Sequence, residues 1–406
     1  MKTALMVFAS DLVDEGFEAA ADVARERGGF EAIELAAIYH HARDVHPHNP
    51  VHRVLFLDGG ALFFRPDPRA FCGQRIQPHL AGVLEEIDPL RRLLAVGRAR
   101  DLAVRAWTIN LHNFTLGERY PDATVENAFG DHLLTDLCPA NPDVRAYVRT
   151  ATAELSRTGV DAIVAESICY MPFDHGFHHE RTPYPLSETT RFFLSLCFCL
   201  HCQARARKAG VAPDHLREEV RVELDRALRG DASRFDDAPF QRAAVAAFAD
   251  GEMAAMLDAR EETVTSLVGE ITEAVEAAGP TRFVFMDSMG AGESGEQTGP
   301  FVADRSWQFG IDLPAVTRNC HGLSVVGYSR DNRRFRQDLD RYRELLPATT
   351  PISLVVRAMP PDCYGPDELR PKLVTASEAS VDWVECFVYG LMRLEGLDWF
   401  RLARPR

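Results

Sequence analysis

Val160-Asp161-Ala162-Ile163-Val164-Ala165-Glu166 is the stretch on which the fold turns. Apart from Asp161 it is apolar, as a strand buried on both faces of a parallel sheet requires, and it ends in a carboxylate. On its N-terminal side, Asn141 and Pro142 open a helix through about Thr158. Proline suits the first helical position, where its missing N–H would have no partner in any case. Gly159 ends that helix, so the stretch is the strand of a helix-to-strand unit. A polar, aromatic loop follows, and then a helix carrying Cys197, Cys199 and Cys202.

The same alternation extends in both directions. Strands are expected at Thr3–Ala9, Phe30–Tyr39, Ala103–Leu111, Val160–Ala165, Arg282–Met286, Leu323–Gly327, Ile352–Val356 and Val381–Tyr389. Helices are expected at Phe17–Arg27, Pro78–Val96 (with Gly97 as a stop signal), Arg260–Ala278, Leu313–Cys320, Phe335–Leu346, Pro366–Ser380 and Leu391–Leu402. Eight β-then-α units in order predict a (β/α)8 TIM barrel spanning 1–406 as one domain. The polar helical stretch 212–251 stands outside the rhythm and predicts a helical insertion after the fourth strand, within 203–260. Val54–Phe64 suggests a small hairpin. A doubly wound open sheet is the alternative, but no G-x-G-x-x-G follows the first strand and there is no Walker A sequence.

The chain has 406 residues, 46% of them hydrophobic, a formal charge of −15 and a sequence pI near 5.4. So acidic a surface repels nucleic acid and anionic membranes, which argues against both as partners. No apolar run approaches the roughly 20 residues of a membrane span. Met1–Ser10 runs straight into Asp11 and Asp14 and reads as a core strand, not a signal peptide. Nine cysteines in a large chain point to a reducing cytoplasm, with thiols or metal in place of a disulfide framework.

A barrel gathers its chemistry at the C-terminal strand ends. Those ends carry His40 and His41, Trp107, His112 and Asn113, Glu166 and nearby Tyr170, Asp287, Tyr328 and Arg357. Such a polar and aromatic ring fits a polyhydroxyl ligand, a small sugar or an oligosaccharide. Glu166 is the expected general acid/base, because burial at the end of an apolar strand raises a carboxyl pKa. Asp287 is the expected second carboxylate, nucleophile or base, since glycoside hydrolysis uses a pair of acids. The blander alternatives are a Glu166 that pairs with an arginine or caps a helix, and an Asp287 that binds loop backbone. Glu34, inside the second strand, is expected to pair with an arginine in a polar layer. The histidines His46, His48, His175, His178 and His179 read as a hydrogen-bonding surface more than as a catalytic metal site. Cys72, Cys320, Cys363 and Cys386 read as small buried residues.

The C-F-C-L-H-C segment of Cys197, Cys199 and Cys202 has the spacing by which thiolates hold a Zn²⁺ ion, at roughly 2.3 Å each. With Gln203 and the basic helix after it, downstream of a strand-end Glu, the segment resembles the zinc-binding segment of the family 42 β-galactosidases. The resemblance covers about Cys138 to Gly210. It implies a TIM-barrel glycoside hydrolase with Glu166 as acid/base and a structural zinc on Cys138, Cys197, Cys199 and Cys202, with Cys169 as the reserve fourth ligand. Two positions depart from the family. Ala165 stands where it has Asn, and strand seven ends in Arg357 where it has its nucleophilic Glu, with Asp362 the nearest carboxylate. The expected function is thus a glycoside hydrolase. The alternatives are a sugar isomerase, epimerase or lyase, and a catalytically inactive carbohydrate-binding barrel. The oligomeric state, a homo-oligomer included, stays open.

Overall fold

The computed structural model describes residues 1–174, 181–231, 235, 240–291 and 299–405. Eight parallel strands close into a (β/α)8 barrel: β1 (Lys2–Val7), β2 (Ala32–Tyr39), β3 (Ala103–Ile109), β4 (Ala162–Glu166), β5 (Arg282–Asp287), β6 (Leu323–Val326), β7 (Ile352–Arg357) and β8 (Trp383–Phe387). Each pairs in parallel with the next, and β1 closes the ring by pairing with both β8 (Leu5 opposite Cys386) and β2 (Leu5 opposite Ile33). The strands are buried almost throughout, since barrel interior and helical shell cover opposite faces.

The barrel interior holds a charged layer. Arg105 on β3 contacts Glu34 on β2 (3.1 Å) and Glu385 on β8 (2.6 Å), and the Ser324 hydroxyl on β6 donates to Glu385 at 2.7 Å. Burial pushes the Glu34 carboxyl up to about 8. Below this layer the Arg105 guanidinium lies 4.6 Å from the centre of the Trp383 ring.

Several element boundaries differ from expectation, each for a local reason. The first strand stops at Val7, because the Asp11 carboxylate accepts the Phe8 N–H at 2.8 Å and starts a helix at Ala9. The helix expected from Pro78 is Pro89–Arg100, opened by the Asp88 side chain on the Arg91 N–H (3.0 Å). It runs through Gly97, and His79–Leu80 is a short strand instead. Val54–Leu57 does form a hairpin strand, but its partner is Ala42–Val45 upstream, while Ala61–Leu62 pairs with β2. Between β4 and β5 lie helices Glu188–Leu194, Leu200–Lys208, Pro213–Arg229 and Arg242–Ala246 before the long helix Glu252–Ala278. Phe192, Phe193, Leu216, Val220, Phe248 and Trp307 belong to a hydrophobic cluster separate from the main core. No helix among the described residues is long and apolar enough to cross a membrane.

Candidate active site and thiolate centre

Glu166 ends β4 and is half-buried, with its Oε2 accepting the Trp107 indole N–H at 2.8 Å. β3 and β4 stand side by side, Val164 opposite Trp107, which brings the indole to the carboxylate. Burial lifts the Glu166 carboxyl to about 7, against the pull of the indole hydrogen bond, which favours the anion. Around it the strand ends supply a continuous aromatic floor. Tyr39 meets Trp107 edge-on at 4.8 Å, Trp107 meets Phe387 at 5.7 Å, and Phe387 meets Tyr328 at 5.8 Å. A register shift in β2 between Ala36 and Ile38 turns the strand just before Tyr39. Arg357 covers the Tyr328 ring at 3.7 Å and forks onto Asp362 at 2.5 and 2.8 Å.

Glu166 opens onto a cavity of about 390 Å³ with Phe173, Phe192, Phe240 and Phe309 in its walls. Asp174 and Glu188 also line it, and Asp174 pairs with Arg191. A carboxyl raised to about 7 beside aromatic rings can give a proton to, or take one from, a ligand stacked on them.

Asp287 occupies a different environment. It is 0% exposed and accepts hydrogen bonds from the Ser306 hydroxyl (2.6 Å), the Tyr342 hydroxyl (2.8 Å) and the Met289 N–H (3.1 Å). Burial holds its carboxyl above the ordinary range. Neither Asp287 nor Asp362 is part of the cavity wall that carries Glu166.

The expected ligand-binding side chains divide. His40 stacks on Tyr39 at 4.4 Å and meets His112 edge-on at 5.2 Å, beside the aromatic floor. His112 lies 3.7 Å from Asp136, and burial depresses it to about 4, so it is neutral at physiological pH. His41 is exposed against Phe114. Asn113 is fully buried, capping helix Phe114–Arg119 through the Leu116 N–H (3.0 Å) and donating to the Gly60 carbonyl (3.2 Å). A Cβ on Gly60 would strike Asn113 at 2.0 Å, so that turn requires glycine. Tyr170 points away from the mouth, its hydroxyl 3.3 Å from the Cys202 sulfur. Asn113 and Tyr170 are therefore architectural, because their polar atoms are engaged inside the protein.

The sulfurs of Cys138, Cys197, Cys199 and Cys202 all lie within 4.8 Å of one another, and all four residues are buried. Cys138 stands 3.7 Å from Cys199, 3.5 Å from Cys202 and 3.8 Å from Cys197. Four sulfurs each about 2.3 Å from one tetrahedral ion would be about 3.8 Å apart, so the quartet fits a metal ion. Cys169 is buried outside it. The cysteines do not share one helix, as the sequence suggested. Cys197 and Cys199 lie in the break between two helices and Cys202 in the first turn of the second, which lets all three converge on Cys138. Cys72 is exposed and Cys320 half-buried, contrary to expectation. No other group of potential metal ligands occurs among the described residues. His46 and His48 instead pair with Asp11 (3.2 Å) and Glu15 (2.8 Å). His175, His178 and His179 lie outside the described residues.

No family model and no curated protein matches the chain. Solved structures do. The α-L-fucosidase isoenzyme 2 of Paenibacillus thiaminolyticus aligns with TM-score 0.56 and 12% identity over 99% of this chain and 49% of its own. The β-galactosidase of the psychrophilic Marinomonas ef1 aligns at 0.55 and 11% over 99% of this chain and 58% of its own. This chain thus spans about half the length of those two enzymes. The catalytic domain of the β-amylase of Paenibacillus polymyxa aligns at 0.56 and 10% over 98% and 96%. At such identities the likeness is one of fold: the chain is a TIM barrel whose structural neighbours include glycoside hydrolases.

Proposed function

We propose that the protein is a carbohydrate-active hydrolase in which Glu166 is the general acid/base. The observation that carries this reading is Glu166 itself: a strand-end carboxyl raised to about 7, bonded to Trp107 and open to an aromatic-walled cavity. Sugar rings stack on aromatic faces, and a glycosidic oxygen needs a proton as it leaves. The fucosidase, galactosidase and amylase likenesses support the same class.

The second carboxylate is the open part of the mechanism. Asp287, the candidate from sequence, would have to surrender its bonds to Ser306 and Tyr342 before meeting a substrate. Asp174 and Glu188 share the cavity with Glu166 and are better placed to act as base or nucleophile. Two carboxyls about 5–5.5 Å apart at the reacting bond would imply retention, and 6.5–9.5 Å inversion.

Zn²⁺ is the metal we assign to the cysteine quartet, as a structural ion, because four thiolates fill a tetrahedral shell and leave no position for water. Residues 203–260 are assigned as an insertion within a single barrel domain, supported by a hydrophobic cluster separate from the main core that they share with 192–198 and Trp307.

The test is a panel of aryl glycosides with wild type, Glu166→Gln, Asp174→Asn, Glu188→Gln and Asp287→Asn. Glu166→Gln should lose at least about a hundredfold in kcat, the scale of general acid catalysis. For a retaining enzyme, azide added to alanine variants at the same positions should give a glycosyl azide of inverted configuration where the nucleophile has been removed and of retained configuration where the acid/base has been removed. A Glu166→Gln variant as active as wild type would end this reading. The runner-up is proton transfer on a sugar without bond cleavage, favoured by the sequestration of Asp287. It predicts solvent deuterium in a sugar carbon and no released sugar.

A further inference from the structure

Arg260 lies in the N-terminal third of helix Glu252–Ala278, and it is 2% exposed. Its Nη2 donates to the Gln308 carbonyl at 2.8 Å, but Nε and Nη1 are buried with no hydrogen-bond partner. A buried guanidinium with so few partners carries a large desolvation cost unless negative charge lies close by. Burial works against its charge, and Tyr170, Cys202, Cys197 and Cys169, two of them members of the cysteine quartet, work in its favour. Its guanidinium sits 4.1 Å from the Tyr170 ring centre and 5.4 Å from that of Phe192. Tyr170 is also buried, with its hydroxyl on Cys202.

A divalent ion held by four thiolates is a net dianion. Buried, it needs both hydrogen-bond donors on sulfur and a nearby cation, and Tyr170 and Arg260 supply one of each. The same two residues grip the wall of the Glu166 cavity. Arg260 holds the Gln308 carbonyl, the Tyr170 N–H donates to the Phe309 carbonyl at 3.1 Å, and Gln308, Phe309 and Phe192 all line the cavity. Gly310 allows this contact. Its φ is +72°, and a Cβ there would stand 3.0 Å from the Tyr170 ring and 3.2 Å from the Arg260 carbonyl oxygen.

We infer that Arg260 and Tyr170 are positioning residues that balance the charge of a metal–thiolate centre and fasten it to segment 302–310, so that metal occupancy sets the wall of the Glu166 cavity. The inference rests on the assignment of a metal to the cysteine quartet, and not on the reaction catalysed.

The test uses full-length protein, its metal content determined first, as wild type and as Arg260→Met, Arg260→Lys and Tyr170→Phe. Transfer of zinc to a chromogenic chelator should be about tenfold faster or more in Arg260→Met, in line with other partners of metal ligands, and less affected in Arg260→Lys. In cobalt-substituted protein, Tyr170→Phe should move the thiolate-to-metal charge-transfer band to longer wavelength, because an O–H donor no longer stabilises the sulfur lone pair. Amide hydrogens of 302–310 should exchange faster in metal-depleted wild type and in Arg260→Met, at the same positions. Should Arg260→Met not fold, Tyr170→Phe, which keeps the ring, decides through its cobalt band and exchange pattern. Metal-loaded variants with wild-type release, band and exchange would overturn the inference and leave the thiolate centre standing. Protein that neither contains metal nor accepts cobalt would remove the centre, and the inference with it.

Discussion

Trp107 and burial pull the proton affinity of Glu166 in opposite directions, and burial wins. The indole N–H stabilises the carboxylate, so its removal should raise the Glu166 pKa further. In a Trp107→Phe variant the alkaline limb of the pH–activity profile, where the acid loses its proton, should move to higher pH. Titration of the carboxyl by NMR checks the same shift without substrate, and an unmoved or lowered pKa would contradict it. Residue identities suggested polar and aromatic groups at the strand ends, but not their orientations. Asn113, Tyr170 and Asp287 all follow or end strands, yet one caps a helix, one faces the cysteine quartet and one is tied to Ser306 and Tyr342. Sequence places a side chain on an element, and its rotamer is chosen by neighbours that come from elsewhere in the chain.

At the scale of elements, the helix before β4 illustrates local control. The Asn141 carboxamide oxygen accepts the Asp143 N–H at 2.9 Å and the Val144 N–H at 3.4 Å, and Pro142 follows it in the first turn. Asn141→Ala should cost about 1 kcal/mol of stability. Urea denaturation measures this, and because the Asn141 N–H also bonds the Cys138 carbonyl, metal release is a useful companion measurement. Such caps were legible, since they depend on residues within one turn. The same kind of local signal was present but not read at Asp11, which accepts the Phe8 N–H, and at Asp88, which is followed by Pro89 and accepts the Arg91 N–H, so those two boundaries were missed. The hairpin partner of Val54–Leu57 was not legible at all, because strand pairing is settled by register and by the loop between, not by apolar content.

At the scale of the molecule, the layer inside the barrel couples stability to pH. Two carboxylates, Glu34 and Glu385, face one Arg105, so one proton is best retained. The folded-state pKa of Glu34 is raised from 4.5 to about 8. Its contribution to stability is therefore fully present below about 4.5 and is lost as the pH climbs through about 8, at up to about 1.4 kcal/mol per pH unit. Glu34→Gln, neutral at every pH, should flatten the fall in unfolding free energy over that window. Denaturation series at pH 5 and pH 8 test this, and equal slopes in variant and wild type would remove Glu34 as the cause.

By itself the sequence determined the alternation of strand and helix, hence the barrel, and the carboxylate that ends β4, because backbone hydrogen bonding and apolar periodicity act over a few residues. The resemblance of one short cysteine segment pointed to the fourth thiol. Tertiary structure alone decided that Cys138 meets Cys197 across 59 positions, that Trp107 reaches Glu166, and that Asp287 is enclosed. Those contacts join strands and loops far apart in the chain. Their geometry is fixed only when the barrel closes and desolvation requires every buried charge and hydroxyl to find what partners the packing provides.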